Sequence, residues 1–507
     1  MTTYTLRKGS PATTRTDVVV VGVARDAKGG LVVCPGGEDV ASAYGRKFAP
    51  LLASMGFTAR SGEVLRIPAG EAVKAATLVL VGLGERDRLS LQEVRRGAGV
   101  AARNVANAAT VAVALPAGDA AHVGAVANGF MSGGYEYSGY KSGEAASAPT
   151  EVILLSEVAR RQDAAAAMTR ARVLAELTDH VRDWVNTPAN DFTPSRFADA
   201  VEELTTSRKD AGVTLEVLGV RELEELGCGG ILGVGLGSAN PPRMARLSWR
   251  HEAPVASVAL VGKGVTYDSG GLTIKPGGSM ATMKNDMAGA AAVVAAIHAI
   301  ATLNLPVAVE AFAPMAENMI SGSAMRPGDV IRTHGGKTVE ITNTDAEGRL
   351  LLADALGMAA ETRPDVILEI STLTGPCVVA LGDRVAGLFG DDGPVTRMRD
   401  AAETAGELVW HLPIPERIEE QVRTESRLAD VLQHNWVRWG SASYAAAFLR
   451  QFVGDVPFAH LDVAGPAWNN GAAWGDVPRG ATGFGVRTLV EYVAALARPA
   501  GEDLAQS

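Results

Sequence analysis

The segment ITNTDAEGRL, Ile341 to Leu350, sets Asp345 and Glu347 two positions apart and follows them at once with Gly348, Arg349 and an apolar run. Two carboxylates that close repel each other, so a chain that keeps them together needs positive charge beside them. Lys263, at the end of the strand-like run VASVALVG, and Lys275, in LTIKPGGSMATMKNDM, are candidate sources. Two more acids stand nearby: Asp268 inside the glycine-bounded loop KGVTYDSGG, and Asp286 at the entrance to the alanine-rich run MAGAAAVVAAIHAIATL. Hard divalent cations take clustered carboxylate oxygens, and a two-metal hydrolase needs acids able to bridge ions about 3.5–4 Å apart. The chemistry this set of residues suggests is hydrolysis by metal-activated water.

Each residue also has an ordinary structural reading. Asp345 could cap a helix beginning near Ala346, with Glu347 as a first-turn acid favoured by the helix dipole. Asp286 could be another helix-start acid, Arg349 a first-turn residue, Lys263 and Lys275 solvated surface charges, and Met280 and Met283 core filler. Joint occurrence favours the metal reading, because rival chemistries lack an anchor. His298 lies inside the alanine-rich run and reads as a packed residue, and His334 sits in the polar turn RTHGGKT. No serine occupies a G-x-S-x-G elbow, since Ser269 is preceded by Asp268. Cys377, in LTGPCVVALG, reads as a buried thiol. The pair Gly82 and Gly84 lacks the third glycine of a dinucleotide loop, Asp87 standing there; GVGLGS ends in Ser238; Lys263 is followed by Gly264, which breaks a Walker pattern.

The elements that must carry these residues read as an α/β protein of two domains. A length of 507 residues exceeds one ordinary core. Residues 1–158 form the smaller domain, where DVVVVGV, ATLVLVGLG, TVAVALP and EVILLSE alternate with helical stretches, as in a largely parallel sheet. Residues 159–187 form a connecting helix, with Leu174, Leu177, Val181 and Trp184 on one face and Pro188 ending it. Residues 188–507 form the larger α/β domain, a central mixed sheet flanked by helices, and Thr193-Pro194 starts a helix there. Strands VTLEVLG, MARLSWR, VASVALVGKG, VAVEAFAP and DVILEISTLTG belong to it, and ligand sites in such sheets gather at the carboxyl ends of strands.

Composition narrows the class further. Charged residues are 21% and apolar ones 47%, which excludes bulk disorder. The net charge is -10, with no basic run long enough to track a phosphate backbone, which argues against nucleic acid as a partner. Three scattered cysteines give neither a disulfide framework nor a thiolate zinc site, as in a reducing cytoplasm. DVVVVGV is too short for a signal-peptide core, and the run from Met287 to Leu303 is too short to span a bilayer; no membrane association is expected.

Three segments together, VGKGVTYDSGGLTIKPGGSMATMKNDMAGAA, NTDAEGRLLLADAL and STLTGPCVVALG, resemble the leucine aminopeptidase family of the M17 type, the cytosolic leucyl aminopeptidases. The resemblance extends from VNTPANDFTP to ATGFGVRTL; the first domain, expected to be macro-like, matches in general shape. It implies an enzyme that removes the N-terminal residue, leucine or another, from peptides with a free amine. It also implies two divalent ions per subunit, Mn2+ or Zn2+, held by Lys263, Asp268, Asp286, Asp345 and Glu347, with Asp268 and Glu347 bridging and a shared water attacking the peptide bond. Lys275 would stabilise the oxyanion and Arg349 would hold a bicarbonate proton shuttle. Met283, Thr372, Leu373 and Gly375 would bind substrate. A homohexamer is implied as well. ADVLQHNWVRWGSASYAAAFL departs from the family pattern, with His434, Trp436 and Trp439 where smaller residues are expected. The rival readings are a two-metal phosphoesterase, which lacks an arginine cluster beyond Arg349, and a non-catalytic assembly or nucleic-acid-binding protein on the same fold.

Overall fold

The computed structural model describes residues 2–143 and 147–497. The described residues divide into two compact units, one up to Asp179 together with Asn470–Arg479, the other His180–Asn469 with the described residues from Gly480 on. This is the expected two-domain α/β architecture, a smaller N-terminal unit and a larger C-terminal one.

The first unit is a seven-stranded sheet in the order β1 (Thr3–Arg7), β7 (Glu151–Leu155), β6 (Thr110–Ala114), β2 (Val18–Arg25), β5 (Thr77–Glu85) and β4 (Val64–Pro68), with β3 (Leu31–Val33) paired to β2. Pairings through β1, β7, β6, β2 and β5 are parallel, and only β3 and β4 run antiparallel. Strands buried on both faces read as continuous apolar runs, and Val18–Val21 of β2 are all nearly inaccessible. Gly82 and Gly84 lie within β5, so they form no phosphate loop. Helices α1 (Leu91–Arg103) and α2 (Ala120–Gly133) pack at close range on one side. A Cβ at Gly133 would stand 2.2 Å from the Gly99 Cα, so only glycines permit that crossing.

Helix α3 (Gln162–Asn186) starts three residues later than the periodicity suggests, and Thr193 caps α4 (Pro194–Ser207) by accepting from Arg196 N, with Pro194 in the first turn. The second unit is built on a nine-stranded mixed sheet. Its strands are β8 (Thr214–Leu218), β9 (Arg243–Arg250), β10 (Ser257–Gly262), β11 (Gly264–Asp268) and β12 (Ala308–Asn318), continued by Val366–Ser371, Val385–Gly390, Leu408–His411 and Phe458–Asp462. Two short strands, β13 (Val330–Arg332) and β14 (Thr338–Glu340), form a separate hairpin. The four later strands of the main sheet are therefore β15 (Val366–Ser371), β16 (Val385–Gly390), β17 (Leu408–His411) and, after the two-residue β18 (Val431–Leu432), β19 (Phe458–Asp462). Along the sheet the order is β17-β16-β19-β15-β10-β12-β9-β8, with β11 beside β12.

The central strands β12, β10, β15 and β19 are mutually parallel, so their carboxyl ends open on one side. The alanine-rich run becomes α5 (Ala288–Thr302), buried from Ala288 to Ala301, and packs against β10, β12 and β15; the apolar stretch Met283–Thr302 that contains it is long enough to cross a membrane but is almost wholly buried within the fold. Helix α6 (Gly348–Glu361) packs through Leu350, Leu351 and Ala353 into a core shared with Ala259 and Val261 of β10.

Three local expectations are corrected. Asp268 ends a strand, not a loop, because β11 pairs with the far end of β12. Helix α6 begins at Gly348, and Glu347 precedes it without a capping side-chain bond, so neither Asp345 nor Glu347 is spent on capping. Met280 and Met283 are half-buried, not core filler. His298 is the packed residue its setting suggests, fully buried with Nε2 3.1 Å from Thr205 Oγ1.

Candidate metal centre

The carboxyl ends of the parallel strands deliver the charged residues to one place. Lys263 follows β10, Asp268 ends β11, Thr372 follows β15, Asp286 lies just before α5 and Glu347 just before α6. Lys263 Nζ lies 2.8 Å from Asp286 Oδ1 and 2.9 Å from Glu347 Oε1, and donates to the Thr372 carbonyl at 3.3 Å. Lys275 Nζ lies 2.8 Å from Asp268 Oδ2 and 2.7 Å from Asp345 Oδ1. Carboxylate oxygens of Asp268, Asp286 and Glu347 all come within 4.8 Å of one another. Each ammonium therefore bridges two acids, which is the positive charge that ITNTDAEGRL requires.

These charges are buried. Relative exposure is 3% at Lys263, 2% at Asp268, 4% at Asp286 and 1% at Glu347. Burial, with the Glu347 and Asp268 charges, holds the Asp286 carboxyl well above the usual range despite Lys263. Burial and Glu347 raise Asp268, and burial and Asp268 raise Asp345. Burial opposes the ammonium of Lys263, yet Asp286, Glu347 and Asp268 outweigh it and push its pKa up; Lys275 is raised in the same way, Asp268 leading. Four carboxylates face two ammoniums, leaving an excess of negative charge in a dry space that a divalent cation would neutralise. Glu347 Oε2 is buried without a hydrogen-bond partner among the described residues, an oxygen free to ligate. The donor set, carboxylates plus an amine, fits divalent ions of the Mn2+ or Zn2+ type.

A Cβ at Gly348 would stand 2.3 Å from Lys263 Cε and 2.7 Å from its Nζ, so the glycine after Glu347 makes room for the lysine. Thr372 spends its hydroxyl on Asp286 Oδ1 at 2.8 Å. Beside the acids opens a cavity of about 180 Å3 lined by Lys275, Asp345, Arg349, Leu373, Gly375 and His434, among others. Met283 and Thr372 are not among the described residues lining it. Arg349 is buried, donates from Nη1 to the Gln433 carbonyl at 2.7 Å and lies 5.9 Å from the Phe448 ring centroid; its Nε has no partner among the described residues. Burial lowers its pKa to about 10. Burial and Arg349 lower His434 to about 4, so its imidazole is neutral.

Sequence reasoning missed the residues that hold this frame. Asn318, the last residue of β12, donates from Nδ2 to Asp268 Oδ1 at 2.8 Å and to the Thr344 carbonyl at 3.0 Å; its strand-end position was a usable signal. Gln433 accepts from Thr342 N and Asn343 N at 3.1 and 3.0 Å and donates to the Ala346 carbonyl at 3.0 Å, with no local signal in the sequence. Asp462, ending β19, accepts from Leu373 N and the Thr374 hydroxyl and so pins the loop after β15.

An open α/β sheet with a buried lysine–carboxylate centre at its strand ends is the layout of a metal-dependent hydrolase. Residues 179–490 match the model of the cytosol aminopeptidase family catalytic domain, and residues 20–144 that of its N-terminal domain. The chain is 44% identical to the probable cytosol aminopeptidase of Streptomyces avermitilis, over 97% of this chain and 98% of the relative. It is also 44% identical to that of Streptomyces coelicolor, over 99% of this chain and 100% of the relative. A solved structure described as the bottromycin maturation enzyme BotP in complex with Mn superposes with a TM-score of 0.84 at 38% identity, over 95% of this chain and all of that one. The chain belongs to the cytosol aminopeptidase family, peptidase family M17, and is an enzyme of its metallo-exopeptidase class.

Proposed function

We propose that this aminopeptidase uses two divalent ions, Mn2+ or Zn2+, held by Lys263, Asp268, Asp286, Asp345 and Glu347, to release the N-terminal residue of peptides. The observation that carries the reading is the buried cluster of Asp268, Asp286 and Glu347, three acids packed within 4.8 Å beside Lys263. A Mn complex of the structural neighbour BotP supports the choice of metal. When bound, the ions would polarise the scissile carbonyl and lower the pKa of a water between them.

The chain's own residues do the rest. Asp268 and Glu347, the two most buried acids of the centre, are the bridging candidates. Asp286 and Lys263 would hold one ion and Asp345 would help hold the other. Lys263 faces acids alone here and is an ammonium; beside dications its charged form would be penalised and its amine could serve as a ligand. Lys275, partly open to the cavity, keeps its proton and donates to the oxygen that gains charge. Arg349, with its Nε unengaged, is the seat for a small anion such as bicarbonate that relays a proton. Leu373 and Gly375 on the cavity wall contact substrate, with Met283 and Thr372 on the side of Asp286. Leucine-type residues are the expected N-terminal preference. The relatives' names and three unpaired buried cysteines support a cytoplasmic enzyme, and a homohexamer is the proposed assembly.

The test is metal content together with hydrolysis of leucine-p-nitroanilide, before and after chelation and readdition of Mn2+ or Zn2+. About two ions per chain and recovery of activity on readdition are expected. Hydrolysis of p-nitrophenyl phosphate in place of the anilide would transfer the site to phosphoester chemistry.

A further inference from the structure

The centre has a closed end and an open end. The side chains of Lys263, Asp286 and Glu347 are at most 6% exposed, whereas those of Lys275 and Asp345 are 16% and 31% exposed and the cavity runs on from them to His434 and Ser441. An enzyme that cuts after one residue needs the free amine at a blind end, with the rest of the peptide leaving through the open one. The segment after β18 borders that exit. Gln433 ties it to the catalytic segment through Thr342, Asn343 and Ala346, and the Thr342 hydroxyl donates to the His434 carbonyl. His434 lines the cavity, and the ring of Trp436 meets the His434 ring edge-on at 5.1 Å between centroids.

Trp436 is an unusual residue to find there. Its backbone φ is +59°, in the left-handed region that large side chains rarely adopt, and 61% of its surface is exposed, as is 78% at Trp439. Exposure alone does not set Trp436 apart, since Trp410 is 64% exposed elsewhere on the chain; its positive φ and its ring contact with the cavity-lining His434 do. A strained backbone that holds such a ring against His434, itself on the cavity wall, is a feature to explain by ligand contact.

We infer that His434 and Trp436 form an aromatic wall for the leaving part of the substrate, giving preference for a large aromatic side chain on the residue after the scissile bond. The inference rests on the aminopeptidase reading. The neutral imidazole holds the indole edge-on, and the exposed indole face stacks against the substrate ring. Specificity on this side is thus set by a segment outside the metal-ligand set.

The experiment compares leucyl-phenylalanine amide with leucyl-glycine amide on the metal-loaded enzyme. The wild type should favour the phenylalanine substrate about tenfold in kcat/KM, the size of an aromatic stacking contact. In Trp436→Gly the ratio should fall below about twofold, with the change in KM; glycine adopts the positive φ without strain, so the variant should fold. Trp436→Phe should keep most of the preference. A wild-type ratio below about twofold, or a tenfold ratio that survives Trp436→Gly, would overturn the inference while leaving the aminopeptidase reading intact. Failure to hydrolyse either amide would remove both.

Discussion

The two units share a building plan, a largely parallel sheet with apolar strands and flanking helices, yet they treat charge at their strand ends in opposite ways. In the first, Arg25 at the end of β2 pairs with Glu85 at the end of β5 at 2.6 Å, both side chains more than a third exposed. In the second, Lys263 pairs with Asp286 and Glu347 with no side chain more than 6% exposed. An exposed pair contributes about 0–1 kcal/mol, whereas each buried ion costs several kcal/mol in desolvation. The same kind of layered α/β sheet thus carries in one unit a surface where charge is incidental and in the other a centre where buried charge persists at a cost to stability. Strongly perturbed, buried ionisable groups in a cleft mark chemistry.

Removing a member of the buried centre should have the largest effect. Glu347→Ala deletes a proposed bridging ligand and leaves Lys263 one acid short; leucine-p-nitroanilide hydrolysis should fall at least about 10³-fold, with loss of bound metal by elemental analysis. Near wild-type turnover in this variant would end the distinction drawn between the two units. Gly348→Ala probes the packing of the same centre. The added methyl would enter the space of the Lys263 side chain, which two acids hold in place, so a destabilisation of about 1–3 kcal/mol is expected. Turnover should drop along with it, and a urea midpoint beside kcat separates the two effects.

How much of this was legible beforehand follows from where the information lies. Charged residues at strand ends and helix starts were visible because each sits beside a local signal: Lys263 after an apolar run, Asp286 before an alanine-rich one, Asp345 and Glu347 two positions apart. The mixed sheet was visible where a strand reads as an apolar run, VALVG of β10 above all, and less so where Glu310 of β12 or Glu369 of β15 interrupts it. What escaped depends on partners far along the chain. GVTYD reads as a loop by its glycine and polar residues, and becomes β11 only because β12 extends past β10 to pair with it. The β13–β14 hairpin has strands of three residues, too short to show a period. Gln433 meets Thr342 and Ala346 across about ninety positions, and nothing around it announces that contact. Asp345 offered capping and metal binding equally until the helix start at Gly348 removed the first.

Asp354 tests whether buried charge in the second unit matters away from the centre. It lies on α6, fully buried, accepting from Ile231 N and His334 N at 2.8 Å each. Burial outweighs those bonds and raises its pKa from 3.8 to about 7. A carboxyl whose folded pKa is raised contributes stability that is present in full below 3.8 and lost as pH rises through about 7. The gap is worth roughly 4 kcal/mol. Asp354→Asn cannot ionise, so its stability relative to wild type should climb by at most that amount between about pH 4 and pH 8, read from denaturant midpoints in matched buffers. A constant difference across the range would mean that the carboxyl ionises as freely inside as outside.

The smallest effect is expected from the surface pair. Arg25→Ala removes one partner of an ion pair whose two side chains reach solvent, so both keep most of their hydration and Glu85 is left facing water, not a dry interior. Coulomb attraction there is screened, and holding two long side chains in one geometry costs entropy that offsets it. A stability change within about 0.5 kcal/mol and no change in leucine-p-nitroanilide turnover follow. The measurement is the same urea midpoint applied to Gly348→Ala, which makes the ratio of the two shifts the sharper quantity. If Arg25→Ala moved the midpoint as far as a substitution at the buried centre, exposure would cease to explain why one set of strand-end charges is chemistry and the other is surface.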